Sequence, residues 1–532
     1  MIIYQILPRL WGNMVDDPQP GASLQRNGCG KFSNVDAKTL EYIKGLGVSH
    51  IWYTGVIRHA TPEDSYGCQP SSRQWTKGSA GSPYAITDYY DVNPYLADNP
   101  SERMDEFKSL IRRTHEAGMK LVIDFVPNHL ARDYGAFSDR EPDFGASDDS
   151  SVHWIEENDF FYYPGEELKL PVRGDYHEFP AKASGNVFSP NPDINDWYDT
   201  IKLNYCDFHT DTWDKMLKVL LFWIGLGVDG FRCDMVELVP PEFLTWIIRK
   251  AKETRPDVIF IGEVYRKEGY RQFVHDVGFD YLYDKSGLYD ALSAIVRKNV
   301  GDDGGVPSEL WQSTRLITWN WQRLGDLQPY MLNFLENHDE QRFASDFFGL
   351  DARNSFAALA VSLFFNTCPF MLYFGEEIGE RGMDAEGLSG LDGRTTIYDW
   401  WSVASLRRLW NHIHGCSPSL TEEEGSVLKR YSEALRFAST SEVITKGDVY
   451  DLCYCNMSSD GFNQDRHFVF MRHYDGKTLL FACNFSKVPA LMAIHIPPDA
   501  FTLFHIPETD SFNSQEPVRI SVPPTDYVML EF

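Results

Sequence analysis

The chain has 532 residues, with 49 Lys and Arg against 77 Asp and Glu, a formal net charge of −28, and 43% hydrophobic residues. That balance excludes disorder and, because a phosphate backbone needs a basic footprint, a nucleic-acid partner; it also disfavours anionic membranes and highly acidic polysaccharides. At roughly 150 residues per domain the length accommodates about three domains, or one large α/β barrel with attachments.

In chain order, IIYQILPRLW (2–11) reads as a strand, Asp36 to Leu46 as a helix, VSHIWYTGVI (48–57) as a strand, Ser101 to Ala117 as a helix opened by an N-capping Ser, and KLVIDFVPNH (120–129) as a strand. Residues 130–205, rich in Asp, Gly, Pro and aromatics, lack periodicity and read as an irregular excursion inserted into the rhythm. Alternation then resumes: a helix near 211–226, strand 227–235, helix 241–253, strands 257–265 and 279–285, a helix near 287–298, strand 329–339, a helix near 352–366 and strand 369–377. The uncharged run Phe356 to Gly375 is divided by Asn366, Thr367 and Pro369 into a buried helix and a buried strand, each too short to span a bilayer. Eight strands alternating with helices are the count of a closed (β/α)8 barrel. From about 428 the texture changes to short alternating runs, with a hairpin signal at Asp475-Gly476. The expected organisation is barrel 1–129, insertion 130–205, barrel 206–427 and a C-terminal antiparallel β-sandwich 428–532.

The N-terminus lacks the basic region, apolar stretch and cleavage site of a secretory leader. The nine cysteines show no paired metal-type spacing and read as reduced thiols; Cys453 and Cys455 would share one face of a strand. Both observations point to the cytoplasm, or to a periplasmic or secreted protein whose signal was removed.

The placement of the acids carries the chemistry. Asp124, Asp234, Glu263 and Asp339 stand at or near the ends of apolar strands, and in a barrel of this kind the active site lies at the strands' C-terminal ends. Cleavage of a glycosidic bond with retention needs a carboxylate nucleophile and a nearby carboxylic acid, and a third acid can grip the sugar hydroxyls. Aromatic residues at 14% suit so amphipathic a ligand.

The segments DFVPNH (124–129), GFRCD (230–234), GEV (262–264) and ENHD (336–339), in this order, resemble the four short motifs of the α-amylase family, glycoside hydrolase family 13; YQILPRLW, YAITDYYDVNP (84–94) and YFGEEIG (373–379) fit it too. The resemblance implies that Asp234 is the nucleophile, Glu263 the general acid and then base, and Asp339 the acid that binds ring hydroxyls. It further implies that Arg232 holds the nucleophile ionised, that His129 and His338 donate to the same sugar, and that Tyr84 forms a stacking platform. Asp124 would organise the site through Arg232, and Asn128 matches a position that often binds a structural calcium; no organic cofactor is implied. The implied partner is an α-glucan or oligosaccharide, cleaved by retaining hydrolysis of α-1,4 or α-1,6 bonds in starch, glycogen or maltooligosaccharides. A glucanotransferase using the same intermediate and a catalytically silent binding subunit are the alternatives.

Two departures qualify the resemblance. Glu237-Leu238 stands where many α-amylases carry a Lys-His pair used at a leaving-group subsite and at the calcium, and NGCGKFS (27–33) replaces an acidic calcium-binding run, so a second calcium is not expected there. Cys233 is expected to face away from the site as packing, and Tyr398, Trp400 and Trp401 are candidates for sugar subsites.

Overall fold

The computed structural model describes residues 1–64, 69–136, 143–206, 209–297, 310, 312–509 and 512–532. Eight parallel strands close into a barrel: β1 Ile2–Ile6, β2 His50–Tyr53, β3 Lys120–Phe125, β4 Gly230–Cys233, β5 Ile259–Gly262, β6 Tyr281–Tyr283, β7 Met331–Phe334 and β8 Phe370–Tyr373. Ile2 of β1 lies opposite Phe370 of β8 and Ile3 opposite His50 of β2, so the sheet has no free edge. Helices cover the outside and side chains fill the inside. That is why strands such as β4 are buried at every position and read as unbroken apolar runs. Gly230 opens β4 because a Cβ there would lie 2.4 Å from Ile259 Cγ1 on β5.

All eight strands fall within the runs expected, yet each is shorter. The trailing residues of those runs leave the hydrogen-bonded ladder: Asp234 follows Cys233, Glu263 follows Gly262, and 335–339 follow Phe334. Helix Asp211–Leu226 has the expected bounds and stops at Gly227, whose φ of 105° lets its N–H reach the Ile224 and Trp223 carbonyls. The helix expected from Ser101 instead begins at Arg103. Asn99 caps a preceding 3-10 turn, accepting from the Ser101 N–H, and so takes the capping role given to Ser101. The expected helix near 287–298 appears as a π-turn and helix ending at Val296; residue 298 lies outside the described residues. Helix Phe356–Phe364 and β8 divide the uncharged run as expected, and no helix among the described residues is long and apolar enough to cross a membrane.

Among the described residues, the strands of the excursion after β3 form short antiparallel pairs, His129–Ala131 with Thr200–Lys202 and Tyr162–Tyr163 with Ala181–Lys182, around a buried Arg132–Glu178 ion pair of 3.0 Å. Near its other end the chain departs from expectation at 428: a helix, Glu422–Thr440, runs through that position. It opens with a reciprocal Thr421–Glu424 cap, and its Val427, Tyr431 and Leu435 join the barrel core. Strands resume afterwards: β9 Asp448–Asp451, β10 His467–Tyr474, β11 Lys477–Asn484, β12 Ala490–Ile494, β13 Val518–Val522 and β14 Tyr527–Glu531. β9, β10, β11 and β14 form one antiparallel sheet, and β12 and β13 a second. The β10–β11 hairpin turns at Asp475 and Gly476, both left-handed at φ 48° and 78°. Cys453 and Cys455 lie in a helical turn rather than a strand, and the cysteines among the described residues are free thiols.

Alternation along β10 and β11 buries both faces of the first sheet. Phe468, Phe470 and Phe481 pack on the barrel, with Phe481 stacked 5.0 Å from Phe364, while Val469, Met471 and Leu480 pack against Met492 and Ile520 of the second sheet. Arg472, fully buried, donates to the carbonyls of Phe364 (2.6 Å), Ile444 (2.9 Å) and Gly447 (2.6 Å), tying barrel helix to sheet. Replacing Arg472 with Leu strands three buried carbonyls and is expected to lower unfolding free energy by about 3 kcal/mol, read from urea denaturation; a change within error would mean water satisfies them.

Candidate active site

Asp234, Glu263 and Asp339, each just past the end of β4, β5 or β7, line one cleft of about 220 Å³ with Tyr84 and His129. A larger cavity of about 660 Å³ lies elsewhere, and its Arg353, Arg381 and Arg408 are engaged in ion pairs. It contains none of the strand-end acids, so the chemistry belongs to the smaller cleft.

Arg232 organises the cleft from beneath. Its Nη1 donates to Asp234 Oδ1 at 2.7 Å, Nη2 pairs with Glu263 Oε2 at 2.8 Å, and Nε donates to Tyr283 Oη at 3.1 Å. The rings of Trp52, Tyr84 and Tyr283 surround the guanidinium carbon at 5.3–5.4 Å, presenting negative π-faces to a cation that burial has stripped of water. One cation thus serves two carboxylates. Burial and the neighbouring Glu263 charge push the Asp234 carboxyl well above the usual carboxylate range, and Arg232 draws it back. With Oδ1 held by Arg232, Asp234 Oδ2 is the oxygen left for the cleft.

Glu263 is aimed by two more donors, Tyr265 Oη on Oε1 at 2.6 Å and the Met235 amide on Oε2 at 2.8 Å. Met235 holds a left-handed φ of 44°, a conformation that costs a side-chain-bearing residue roughly 1–2 kcal/mol, and this turn presents its N–H to Glu263. In ENHD the first two residues brace the loop: Glu336 accepts from Arg342 Nη1 at 2.9 Å, and Asn337 Oδ1 accepts from the Asp339 and Glu340 amides at 2.8 and 2.9 Å. Asp339 is thereby presented to the cleft, while His338 is buried with its ring 5.4 Å from that of Tyr84. His338 Nδ1 accepts from Gln5 Nε2 at 2.9 Å, leaving Nε2 near Tyr84 Oη and 3.2 Å from Asp339 Oδ2. Burial lowers both His129 and His338 to about 3, so both rings are neutral near pH 7.

The structure therefore brings together Tyr84, His129, Arg232, Asp234, Glu263, His338 and Asp339. Asp124 differs from expectation: its oxygens accept from Trp52 Nε1 at 3.1 Å and the Gly55 amide at 2.8 Å, and Arg232 reaches it only through its field. Of the three aromatics in the 391–401 loop, Tyr398 lines the cleft, whereas Trp400 packs with Leu24, Ala80 and Tyr95, and Trp401 is buried with Nε1 on Asp384. Cys233 is buried in the barrel core. Sequence reading missed Lys77, Trp197, Asp199 and Tyr265. Lys77 pairs with Asp199 at 3.3 Å and the Trp197 ring stands 5.2 Å from His129, contacts set by loops without periodicity. Tyr265 had a signal, two residues beyond Glu263 in the same run.

The implied calcium meets an unsuitable donor set. Asn128 Oδ1 accepts from Lys202 Nζ, so an ammonium faces the oxygen a metal would need, and among the described residues no group of three or more His, Cys, Asp or Glu gathers to hold an ion. Glu237, in place of the family's Lys, accepts from the Tyr265 and Arg266 amides at 2.9 Å and so ties the loop after β4 to that after β5.

A family model described as alpha amylase, catalytic domain, matches residues 21–399. The chain belongs to the α-amylase family. As a member of that family it is similar to alpha-amylase 3 of Dictyoglomus thermophilum, 27% identical over 355 residues, which are 64% of this chain and 59% of the relative. It is also similar to a cyclomaltodextrinase of Geobacillus thermopakistaniensis, 22% identical over 525 residues, 98% of this chain and 72% of that protein. The α-amylase-family chain thus spans less than two thirds of the length of the first relative. Among solved structures, a debranching enzyme of Nostoc punctiforme matches with a TM-score of 0.67 at 17% identity, and a maltogenic alpha-amylase of Thermotoga neapolitana with 0.63 at 19%. Each covers 100% of this chain and 98% of its own, which places the whole chain in that fold.

Proposed function

We propose that the protein hydrolyses α-glucosidic bonds, α-1,4 foremost, in maltooligosaccharides and related glucans, with retention of configuration. The observation that carries this reading is one guanidinium, Arg232, gripping both Asp234 and Glu263 in a cleft that also holds Asp339. Glu263 donates a proton to the glycosidic oxygen as Asp234 Oδ2 attacks the anomeric carbon from the opposite side, giving a β-linked glycosyl ester. Glu263, now a base, then takes a proton from water, which attacks the same carbon and releases the α-anomer. Asp339 and the neutral His129 and His338 hold the ring hydroxyls and lower the cost of an oxocarbenium-like geometry. The names of the relatives, alpha-amylase and cyclomaltodextrinase, support a glucan substrate.

A product time course on maltoheptaose, with anomeric configuration followed by NMR, tests the reading. Shorter sugars released as α-anomers are expected. Products longer than the starting sugar would replace hydrolysis by glucanotransfer, and β-anomers would exclude the double displacement.

A further inference from the structure

Asn128 is the hub of a second network. Its Nδ2 donates to the Gly185 carbonyl at 2.8 Å and lies 3.0 Å from His129 Nδ1, while its Oδ1 accepts from Lys202 Nζ. Lys202 stands directly across the antiparallel ladder from His129, and its ammonium also donates to the Leu238 carbonyl at 3.0 Å, at the end of the turn that follows Asp234. An ammonium can only donate and a peptide carbonyl can only accept, so these two neighbours leave the Asn128 amide a single orientation. Because Nδ2 then points at it, His129 Nδ1 must accept. The ring's proton is thereby set on Nε2, and the ring itself lines the cleft.

We propose that the Lys202 ammonium is the resident cation at the junction of barrel, inserted segment and nucleophile loop, standing where a divalent ion would sit, and that through Asn128 it fixes the tautomer of His129. A calcium ion requires about six to eight oxygen ligands at roughly 2.3–2.6 Å. Here two of the oxygens on offer, Asn128 Oδ1 and the Leu238 carbonyl, converge on an amine, and the residue placed to give another ligand is the lysine itself. The same device recurs at the first loop, where Lys31 Nζ donates to the Tyr95 and Ala97 carbonyls at 2.8 and 3.1 Å. Lys202 is in this sense a positioning residue: it touches no sugar and acts through Asn128 on a group that does. The His129 half of the proposal rests on the sugar-binding reading given above, whereas the cation half does not.

Thermal unfolding of the full chain tests the cation half without any substrate. The melting temperature is expected to be the same in EDTA and in millimolar calcium chloride, and Lys202→Asp, which trades the ammonium for oxygen donors, is expected to melt higher with calcium than without. Stabilisation of the unaltered protein by calcium would overturn the proposal, as would a Lys202→Asp variant indifferent to it. For the positioning half, Lys202→Met is expected to lower kcat on maltoheptaose roughly 10- to 100-fold with little change in KM. The double variant with His129→Ala should lose no more than His129→Ala alone; additive losses would overturn the link. If Lys202→Met fails to fold, Lys202→Arg keeps the charge and donors, and its melting temperature should likewise ignore calcium; calcium dependence there would overturn the proposal.

Discussion

Asp234→Asn is expected to reduce kcat on maltooligosaccharides by on the order of 10⁴-fold or more while the protein stays folded. The effect on turnover is large because an amide oxygen cannot form the glycosyl ester, and nothing else in the cleft replaces it. The effect on stability runs the other way. Asp234 and Glu263 share one buried cation, and burial together with the negative charges around Asp234 pushes its carboxyl upward, so removing one charge relieves both costs. Arg232 Nη1 keeps an acceptor in the Asn oxygen. Kinetics and urea denaturation on the same preparation check both halves, and residual activity above about 1% would take the nucleophile role away from Asp234.

Glu263→Gln is expected to cost maltooligosaccharide hydrolysis about 10²- to 10⁴-fold, the range of a lost proton transfer, and to cost far less for a glycosyl fluoride, whose leaving group needs no proton. The second step still needs a base. With the fluoride, the variant should therefore form the ester faster than water removes it, and mass spectrometry of the digested protein should find the sugar on the peptide that contains Asp234. Equal losses for both substrates would contradict proton donation by Glu263, and a label on another peptide would move the nucleophile.

Much of this was legible in the sequence for a definite reason. Barrel strands are buried on both faces, so β1 to β8 stand out as apolar runs, and acids such as Asp234 and Glu263 stand out at their ends. Less legible was where each ladder stops, because residues 234 and 263 continue an apolar-flanked run although they have already left the sheet. The excursion was opaque for another reason. Lys77, Trp197 and Asp199 reach the cleft through tertiary contacts between loops, and no spacing in 130–205 announces that Asp199 will meet Lys77. Helix Glu422–Thr440 begins with three consecutive Glu, which masks the apolar stripe of Val427, Tyr431 and Leu435 beneath it. Asp124 shows the limit of a resemblance: the position is right, yet its hydrogen bonds go to Trp52 and Gly55.

The central strands β10 and β11 of the first C-terminal sheet have neither face turned to water, and Phe364 and Phe365, shortly before the chain enters β8, meet them from the barrel side. Peeling the sheet away would expose both an apolar patch and the root of the strand that closes the barrel, so neither part has a stable life of its own. Heat should melt the two as one cooperative unit, and the lifetime of the cleft at elevated temperature is then governed by a region far from any sugar.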